Sequence, residues 1–241
     1  MIKRCDFLNR YTVAVIAAAG SGSRMGMDKN KLFLEFVGKP VLLHTLQQFQ
    51  DAENIDRIII STRPEFIDEI KKQVHNNKIT KVSDIIAGGS TRQQSVRAAV
   101  ELCKDADFIA IHDGARPFAD GTLVDRICEA AYEYNAAAPG TKVKDTVKKV
   151  DENGFICATV NRNELVNIQT PQIFSYKLYC QAIDNAEKNK ADYTDDCQLI
   201  ESLGVKIKIV EGDYLNIKIT TPEDILFAQQ IFSSRCDKCS E

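Results

Sequence analysis

The sequence predicts an α/β fold with a mostly parallel central sheet flanked by helices. Short runs of β-branched residues alternate with amphipathic helical segments along the chain, which is the pattern of a parallel sheet covered by helices. The 241 residues are 44% hydrophobic and 27% charged, an ordinary globular composition. Because no linker rich in Pro, Gly or Ser divides the chain, we expect residues 1–241 to form a single domain.

Each element is indicated by a local pattern. The run TVAVIAA from Thr12 is apolar after its first residue, as expected of a strand buried on both faces. Pro40 opens a helix at 41–49 in which apolar residues recur on one side. The elements expected next are a strand from Arg57, a helix from Pro64, a strand from Asp84, a helix at 91–103, a strand from Asp107, a helix at 122–134, a helix at 176–188, a strand from Gly204 and a helix from Pro222.

Two segments depart from this alternation. Residues 141–162 are expected to form a β-hairpin arm, because two strand-like runs between Thr141 and Val160 are joined by the turn sequence DENG. About half of the residues on both faces of the hairpin are polar, which suits an exposed surface for a partner better than a core. Residues 233–241 are polar and are expected to form a flexible tail.

Charge and hydropathy disfavour several classes of protein. The formal net charge is −3, with both signs interspersed, which argues against a nucleic-acid partner. No apolar run approaches the roughly 20 residues that cross a bilayer, so no membrane partner is expected. About ten residues precede the first strand, fewer than a signal peptide has. We therefore expect a soluble, cytoplasmic protein.

A glycine-rich loop with cations follows the first strand and reads AAAGSGSRMG, Ala17–Gly26. Ligands of open α/β sheets bind beyond the carboxyl ends of the strands. Gly20 and Gly22 let backbone N–H groups approach an anion, and Arg24 and Lys31 add charge for phosphate oxygens. The spacing is GxGxxxG, and no acidic residue ends the second strand, so a nicotinamide dinucleotide is disfavoured.

A second candidate motif is HDGARPF, His112–Phe118. Asp113 ends a strand at the same edge of the sheet, and a carboxylate opposite a phosphate site is a natural Mg²⁺ ligand. A turn-capping role for Asp113 remains the alternative. We interpret His112 as a structural hydrogen-bonding residue rather than a base, because an ionised phosphate nucleophile has no proton to remove.

Nine motifs occur in a fixed order along the chain: AAAGSGSRMG, NKLFLEFVGKPVLLHTL, AGGSTRQQSV, HDGARPF, KVKDTVK, TVNR, QTPQIF, YTDD and NIKITTPED. Together they resemble the 2-C-methyl-D-erythritol 4-phosphate cytidylyltransferase family of the non-mevalonate isoprenoid pathway, from about Val13 to Phe232. The resemblance implies a Rossmann-like nucleotidyltransferase fold. It also implies transfer of CMP from CTP to the methylerythritol phosphate, with release of pyrophosphate and with Mg²⁺, or alternatively Mn²⁺, as cofactor.

The resemblance further implies roles for individual residues. Arg24 and Lys31 would stabilise the charge on the α-phosphate during in-line attack. Arg162 and Lys218 would position the acceptor, and Asp113 would hold the metal. The residues expected to bind the nucleotide are Ala18, Ala19, Gly20, Gly22, Gly89, Ser90 and Ser95, and those expected to bind the acceptor are Arg116, Thr146 and Thr170.

The resemblance also implies a homodimer, because in this family the hairpin arm crosses to the partner subunit and completes its site. The sequence departs from the family's common pattern at three places. Asn30 and Leu32 flank Lys31 where Pro and Gln are common, Ser90 stands where an acidic residue is common, and Gly114 stands where alanine is common. None of these departures removes a charge that the chemistry needs.

The related pentitol (ribitol) 5-phosphate cytidylyltransferases are the nearest alternative. They tend to have Leu-Ala-Gly-Gly in the first loop and Ala-Val after the metal ligand, whereas this chain has Ala17–Gly20 and Gly114–Ala115. A nicotinamide-dependent dehydrogenase is disfavoured by the glycine spacing. A non-catalytic nucleotide sensor is disfavoured because Arg24, Lys31 and Asp113 are all retained.

Overall fold

The structure, a computed structural model, describes residues 10–20 and 31–238, without the side chains of residues 31 and 236–238. In chain order its strands are β1 (Thr12–Ala18), β2 (Glu35–Phe36), β3 (Lys39–Pro40), β4 (Arg57–Thr62), β5 (Val82–Ala87), β6 (Phe108–Asp113), β7 (Ala136–Lys142), β8 (Lys148–Val150), β9 (Ile156–Thr159), β10 (Val166–Ile168), β11 (Gln172–Ser175) and β12 (Lys208–Glu211). Its α-helices are α1 (Val41–Asp51), α2 (Ile67–Asn76), α3 (Arg92–Val100), α4 (Gly121–Tyr134), α5 (Tyr176–Lys188), α6 (Asp196–Glu201) and α7 (Glu223–Lys238).

Eight of the described strands form one mixed sheet. Its order is β10-β7-β11-β6-β1-β4-β5. β12 pairs with the edge of β7 that lies opposite to β10 and β11. The pairs β1–β4, β1–β6, β4–β5 and β7–β12 are parallel, whereas β10 and β11 run antiparallel to their neighbours. The predicted sheet, mostly parallel and flanked by helices, is therefore confirmed. The two antiparallel strands were not predicted.

Side chains of the central strands alternate between two hydrophobic layers. In β1, Ala14 and Ile16 contribute to the layer that contains residues of α1 and α4, whereas Val13 and Val15 contribute to the layer with α3 and α5. All four side chains are fully buried, because parallel strands covered on both faces are apolar at every position. This double packing holds β1 and its neighbour β6 in the middle of the molecule, and their carboxyl ends meet at one edge.

The carboxyl-terminal helix is longer than expected. α7 continues to Lys238, so residues 233–238, which were predicted to belong to a flexible tail, are helical. An ion pair of 2.9 Å between Arg235 and Asp213 ties this part of the helix to the body of the protein, and composition alone does not reveal such a contact. Residues 239–241 lie outside the described residues. No helix in the described ranges is long and apolar enough to cross a membrane.

The hairpin arm is shorter than the predicted 141–162. Thr141 and Lys142 complete β7, because they pair with β10 in the central sheet. The hairpin itself consists of β8 and β9, which pair antiparallel as a separate sheet and are exposed at every residue. Its turn agrees with the DENG signal, since Gly154 has φ +85° and donates its N–H to the carbonyl of Asp151.

Candidate active site

The carboxyl ends of β1, β4, β5 and β6 border one cavity of about 540 Å³. β1 and β6 are paired through Ala17 and Asp113, so the glycine-rich loop and the HDGARPF motif start side by side at this edge of the sheet. The predicted site residues that line the cavity are Ala18, Ala19, Gly20, Gly89, Ser90, Ser95, Asp113 and Lys218.

The two glycines after β5 allow the cavity wall to pack closely. A Cβ atom on Gly88 would lie 2.7 Å from Cβ of Ala19 and 2.7 Å from Oγ of Ser95, and Gly89 is equally crowded. Only glycine fits such an approach without a shift of the surrounding chain. The Ser95 hydroxyl accepts a hydrogen bond from the Gly89 N–H at 3.1 Å and donates to the carbonyl of Thr91 at 2.8 Å. Ser95 therefore supports the loop as well as lining the cavity.

The N-terminus of α3 also faces the cavity. Thr91 caps this helix by accepting a hydrogen bond from the N–H of Gln94 at 3.1 Å. Ser90, which stands where the family commonly has an acidic residue, donates its N–H and its hydroxyl to Oε1 of Gln94, at 3.0 and 2.7 Å. The wall is therefore formed by the positive end of a helix, and Ser90 brings no carboxylate to it.

Asp113 lies among three cations. Its Oδ2 is 2.8 Å from Nζ of Lys218 and 3.6 Å from Nε of Arg116, and its Oδ1 is 3.6 Å from Nε of Arg92. Burial alone would raise the pKa of this carboxyl, but the charges of Lys218, then Arg92, then Arg116 outweigh it and hold the pKa well below its ordinary value. The Asp113 carboxylate is therefore ionised at physiological pH.

Arg92 belongs to this site although sequence reasoning did not assign it. It is the first residue of α3, it lines the cavity, and its Nη1 lies 2.7 Å from Oδ2 of Asp196. The buried Asp196 also accepts a hydrogen bond of 2.6 Å from the hydroxyl of Tyr179. Both Arg92 and Asp196 lie within quoted motifs, AGGSTRQQSV and YTDD, but no spacing rule predicts that two such distant segments pair.

A buried network fixes the backbone on either side of Asp113. The Thr170 hydroxyl accepts a hydrogen bond from the N–H of Asp113 at 3.1 Å and lies 3.0 Å from Nδ1 of His112, whose Nε2 lies 3.0 Å from the carbonyl of Arg116. Because a carbonyl only accepts, Nε2 carries the proton and Thr170 donates to Nδ1. Burial lowers the pKa of His112 to about 4, although its bond to the Arg116 carbonyl opposes this, so the ring is neutral. Thr170 is not among the residues that line the cavity.

The predicted residues of the arm are not brought to the cavity of the same chain. Thr146 and Arg162 are exposed, and neither lines the cavity. Nη1 of Arg162 donates a hydrogen bond of 2.6 Å to the carbonyl of Lys144, which ties the two ends of the arm to each other. A site that includes these two residues would have to take them from a second copy of the chain.

The cationic part of the first loop is described only at its ends. Gly22 and Arg24 lie outside the described residues, as does the side chain of Lys31, whose backbone begins a 3-10 turn. Gly20 on one side and Leu32 on the other both line the cavity. The segment that carries the two predicted catalytic cations therefore starts and ends at this cavity.

The cavity contains a carboxylate that could hold a metal together with substrate phosphates. Asp113 is the one acidic side chain among the described residues that line it, and the described part of the chain contains no group of three His, Cys, Asp or Glu side chains that could hold an ion. Oδ1 of Asp113 lies 3.6 Å from Nε of Arg92, beyond hydrogen-bond distance. One ionised oxygen suits Mg²⁺, which commonly combines one or two carboxylates with substrate phosphates.

Known proteins resemble this chain along nearly its whole length. A family model described as 2-C-methyl-D-erythritol 4-phosphate cytidylyltransferase matches residues 12–234. The chain belongs to this family. Relatives of that name from Clostridium beijerinckii and Lysinibacillus sphaericus are 43% and 41% identical, over 90% and 94% of this chain and 96% and 98% of their own.

Solved structures of the family share the fold. A 4-diphosphocytidyl-2C-methyl-D-erythritol synthase from Anaerococcus prevotii superposes with a TM-score of 0.84 at 34% identity, over 96% of this chain and all of its own. The 2-C-methyl-D-erythritol 4-phosphate cytidylyltransferase of Thermus thermophilus gives 0.75 at 30% identity, over 92% and 98%. The span matched by the family model includes every residue of the site described above.

Proposed function

We propose that this protein transfers CMP from CTP to 2-C-methyl-D-erythritol 4-phosphate, giving 4-diphosphocytidyl-2-C-methyl-D-erythritol and pyrophosphate, and that it acts in the cytoplasm. The observation that carries the proposal is the cavity at the sheet edge, where the Asp113 carboxylate is placed among Lys218, Arg92 and Arg116 next to the start of the glycine-rich loop. Its volume of about 540 Å³ is that of a small-molecule site. The names of the relatives do not favour the ribitol phosphate alternative.

The reaction depends on position and charge. An oxygen of the acceptor phosphate attacks the α-phosphorus of CTP in line, the bond from that phosphorus to the β-phosphate oxygen breaks, and pyrophosphate leaves. Arg24 and Lys31 stabilise the charge on the α-phosphate, while Lys218 and Arg162 position the acceptor. No base is needed, which agrees with a buried, neutral His112.

The nucleotide would lie between the two walls of the cavity. The backbone of Ala18, Ala19 and Gly20 meets the phosphates, and the segment from Gly89 to Ser95 meets the cytosine. Asp113 would hold Mg²⁺, or alternatively Mn²⁺, and such an ion would supply positive charge that offsets the phosphate charge.

Acceptor choice is tested by incubating the protein with CTP, Mg²⁺ and one polyol phosphate at a time while pyrophosphate release is followed. We expect release with 2-C-methyl-D-erythritol 4-phosphate and far slower release with ribitol 5-phosphate. The reverse preference would make the protein a pentitol phosphate enzyme. Failure to release pyrophosphate with either acceptor would leave a nucleotide sensor as the better interpretation.

We also propose that the arm joins two subunits. Three apolar side chains near the hairpin turn are largely exposed, since Val150, Phe155 and Ile156 are 60%, 71% and 66% accessible. A two-stranded hairpin has little stability of its own in water, and burial of these side chains against a second copy would supply it. If each arm packs against the partner subunit in this way, Thr146 and Arg162 would lie at the partner's cavity.

A mixed dimer tests this shared site. Arg24→Ala damages the first loop and Arg162→Ala damages the arm, so each homodimer should be nearly inactive. In the mixed dimer one site would carry both changes and the other neither, so activity should return to half of the wild-type value per dimer. The two chains are co-expressed with different tags, and the doubly tagged dimer is purified and assayed. A mixed dimer no more active than its parents would show that each arm serves its own subunit.

A further inference from the structure

Residues assigned to the acceptor site come from three distant segments, and the segments meet at Asn216. Arg116 follows β6, Thr170 precedes β11, and Lys218 precedes α7. Asn216 is fully buried and stands two residues before Lys218. None of the roles derived above includes it.

The contacts of Asn216 join these segments directly. Its backbone carbonyl accepts a hydrogen bond of 2.8 Å from Nη1 of Arg116. Its side-chain Nδ2 donates to the carbonyl of Thr170 at 3.0 Å and to Oε1 of Gln169 at 3.4 Å. Nε2 of Gln169 donates in turn to the carbonyls of Asp213 and Asn216, at 2.8 and 3.3 Å. Because carbonyl oxygens only accept, these contacts fix the orientation of both amides.

The side chain of Asn216 is held at a cost. Its Oδ1 is buried and has no hydrogen-bond partner in the described part of the chain, and an unpaired buried acceptor is unfavourable. An apolar side chain of the same size would avoid that cost but could not donate to the Thr170 carbonyl. What the position requires is therefore the amide donor rather than bulk alone.

We propose that Asn216 is a positioning residue for the acceptor phosphate. Its backbone carbonyl holds the guanidinium of Arg116, and its side-chain amide holds the segment of Thr170. Both are thereby fixed relative to Lys218, which lies two residues further along the chain. Among the described residues Nη2 of Arg116 donates no hydrogen bond, and in the proposed acceptor site it would donate to phosphate. The inference rests on the proposed acceptor site, and it predicts that Asn216 affects the acceptor without affecting CTP.

The test compares Michaelis constants for the two substrates in Asn216→Asp and Asn216→Ala. The aspartate keeps the shape but presents an oxygen to the Thr170 carbonyl, and the alanine removes the donor. We expect KM for the acceptor to rise on the order of tenfold or more, as loss of a buried hydrogen bond does, and KM for CTP to change by less than about twofold. Thr12→Val is the matched control, because Thr12 is fully buried, bonds Tyr132 at 2.7 Å and lies at the opposite end of β1.

The control should lower the midpoint of thermal unfolding and leave both Michaelis constants unchanged. If the Asn216 variants raise both constants equally, or behave like Thr12→Val, the proposal is wrong. If they do not fold, Gln169→Met, which removes the amide that bonds Asn216, must show the same selective rise or the proposal fails. Arg116→Ala is assayed in parallel, since an unchanged acceptor KM there would overturn the acceptor site itself.

Discussion

Asp113→Asn should abolish magnesium-dependent binding of CTP and lower kcat/KM by on the order of 10³. A neutral amide is a poor ligand for a hard dication. The structure adds a second expectation, because Asp113 is the shared counter-charge of Lys218, Arg92 and Arg116. Its loss leaves three cations in or beside the cavity wall, so metal-free CTP should bind the variant at least as tightly as it binds the wild type.

Calorimetric titration with CTP, with and without Mg²⁺, separates these two effects. The matched control is Asp105→Asn, since Asp105 precedes β6 whereas Asp113 ends it, and Asp105 forms an ion pair of 2.9 Å with Arg57 away from the cavity. The control should bind magnesium and CTP as the wild type does. If Asp113→Asn keeps its magnesium-dependent affinity, Asp113 is a turn-capping residue and the metal ligand must be sought elsewhere.

Arg24→Ala and Lys31→Ala should each lower kcat by on the order of 10²–10³, as loss of one donor to transition-state charge does. The segment that carries them is bounded by Gly20 and Leu32, which both line the cavity. Since the charge on the α-phosphate develops during the reaction, the loss should appear in kcat more than in KM for CTP.

Single-turnover measurements of CMP transfer give this rate directly. Lys39→Ala is a suitable control, because Lys39 is a nearby exposed cation in β3 that is not among the residues lining the cavity. Thermal unfolding of all three variants shows whether the fold is retained. Near-normal turnover in Arg24→Ala or Lys31→Ala would remove that residue from the catalytic assignment.

The site-bearing half of the fold was predictable from local patterns. A continuous apolar run such as residues 13–18 has few alternatives to a buried strand. Gly20 follows this strand, and Asp113 ends another. Once the two strands are placed side by side, the general rule for open α/β sheets puts the cavity beyond their carboxyl ends. The observed pairing of Ala17 with Asp113 agrees with that inference.

In the other half of the sheet β12 lies within the strand expected from Gly204, but β7, β10 and β11 could not be predicted in this way. β7 has the sequence AAAPGTK, whose alanine, proline and glycine residues do not favour a strand. Ala136 and Ala137 are nevertheless fully buried, since both pair with β11 and the second also pairs with β12, so tertiary packing determines the structure. The roles of Arg92 and Asn216 could not be predicted for a related reason, because the residues that they contact are distant in the chain.

The way the arm leaves the sheet separates two parts of this protein that can change independently. β7 ends at Lys142, which pairs with Val166 at the start of β10. Residues 143–165 therefore form an insertion whose two ends meet in the sheet. The entropy cost of closing such a loop grows only slowly with its length. Changes in the length or sequence of this insertion are therefore expected to leave the strand register that places Asp113 unchanged.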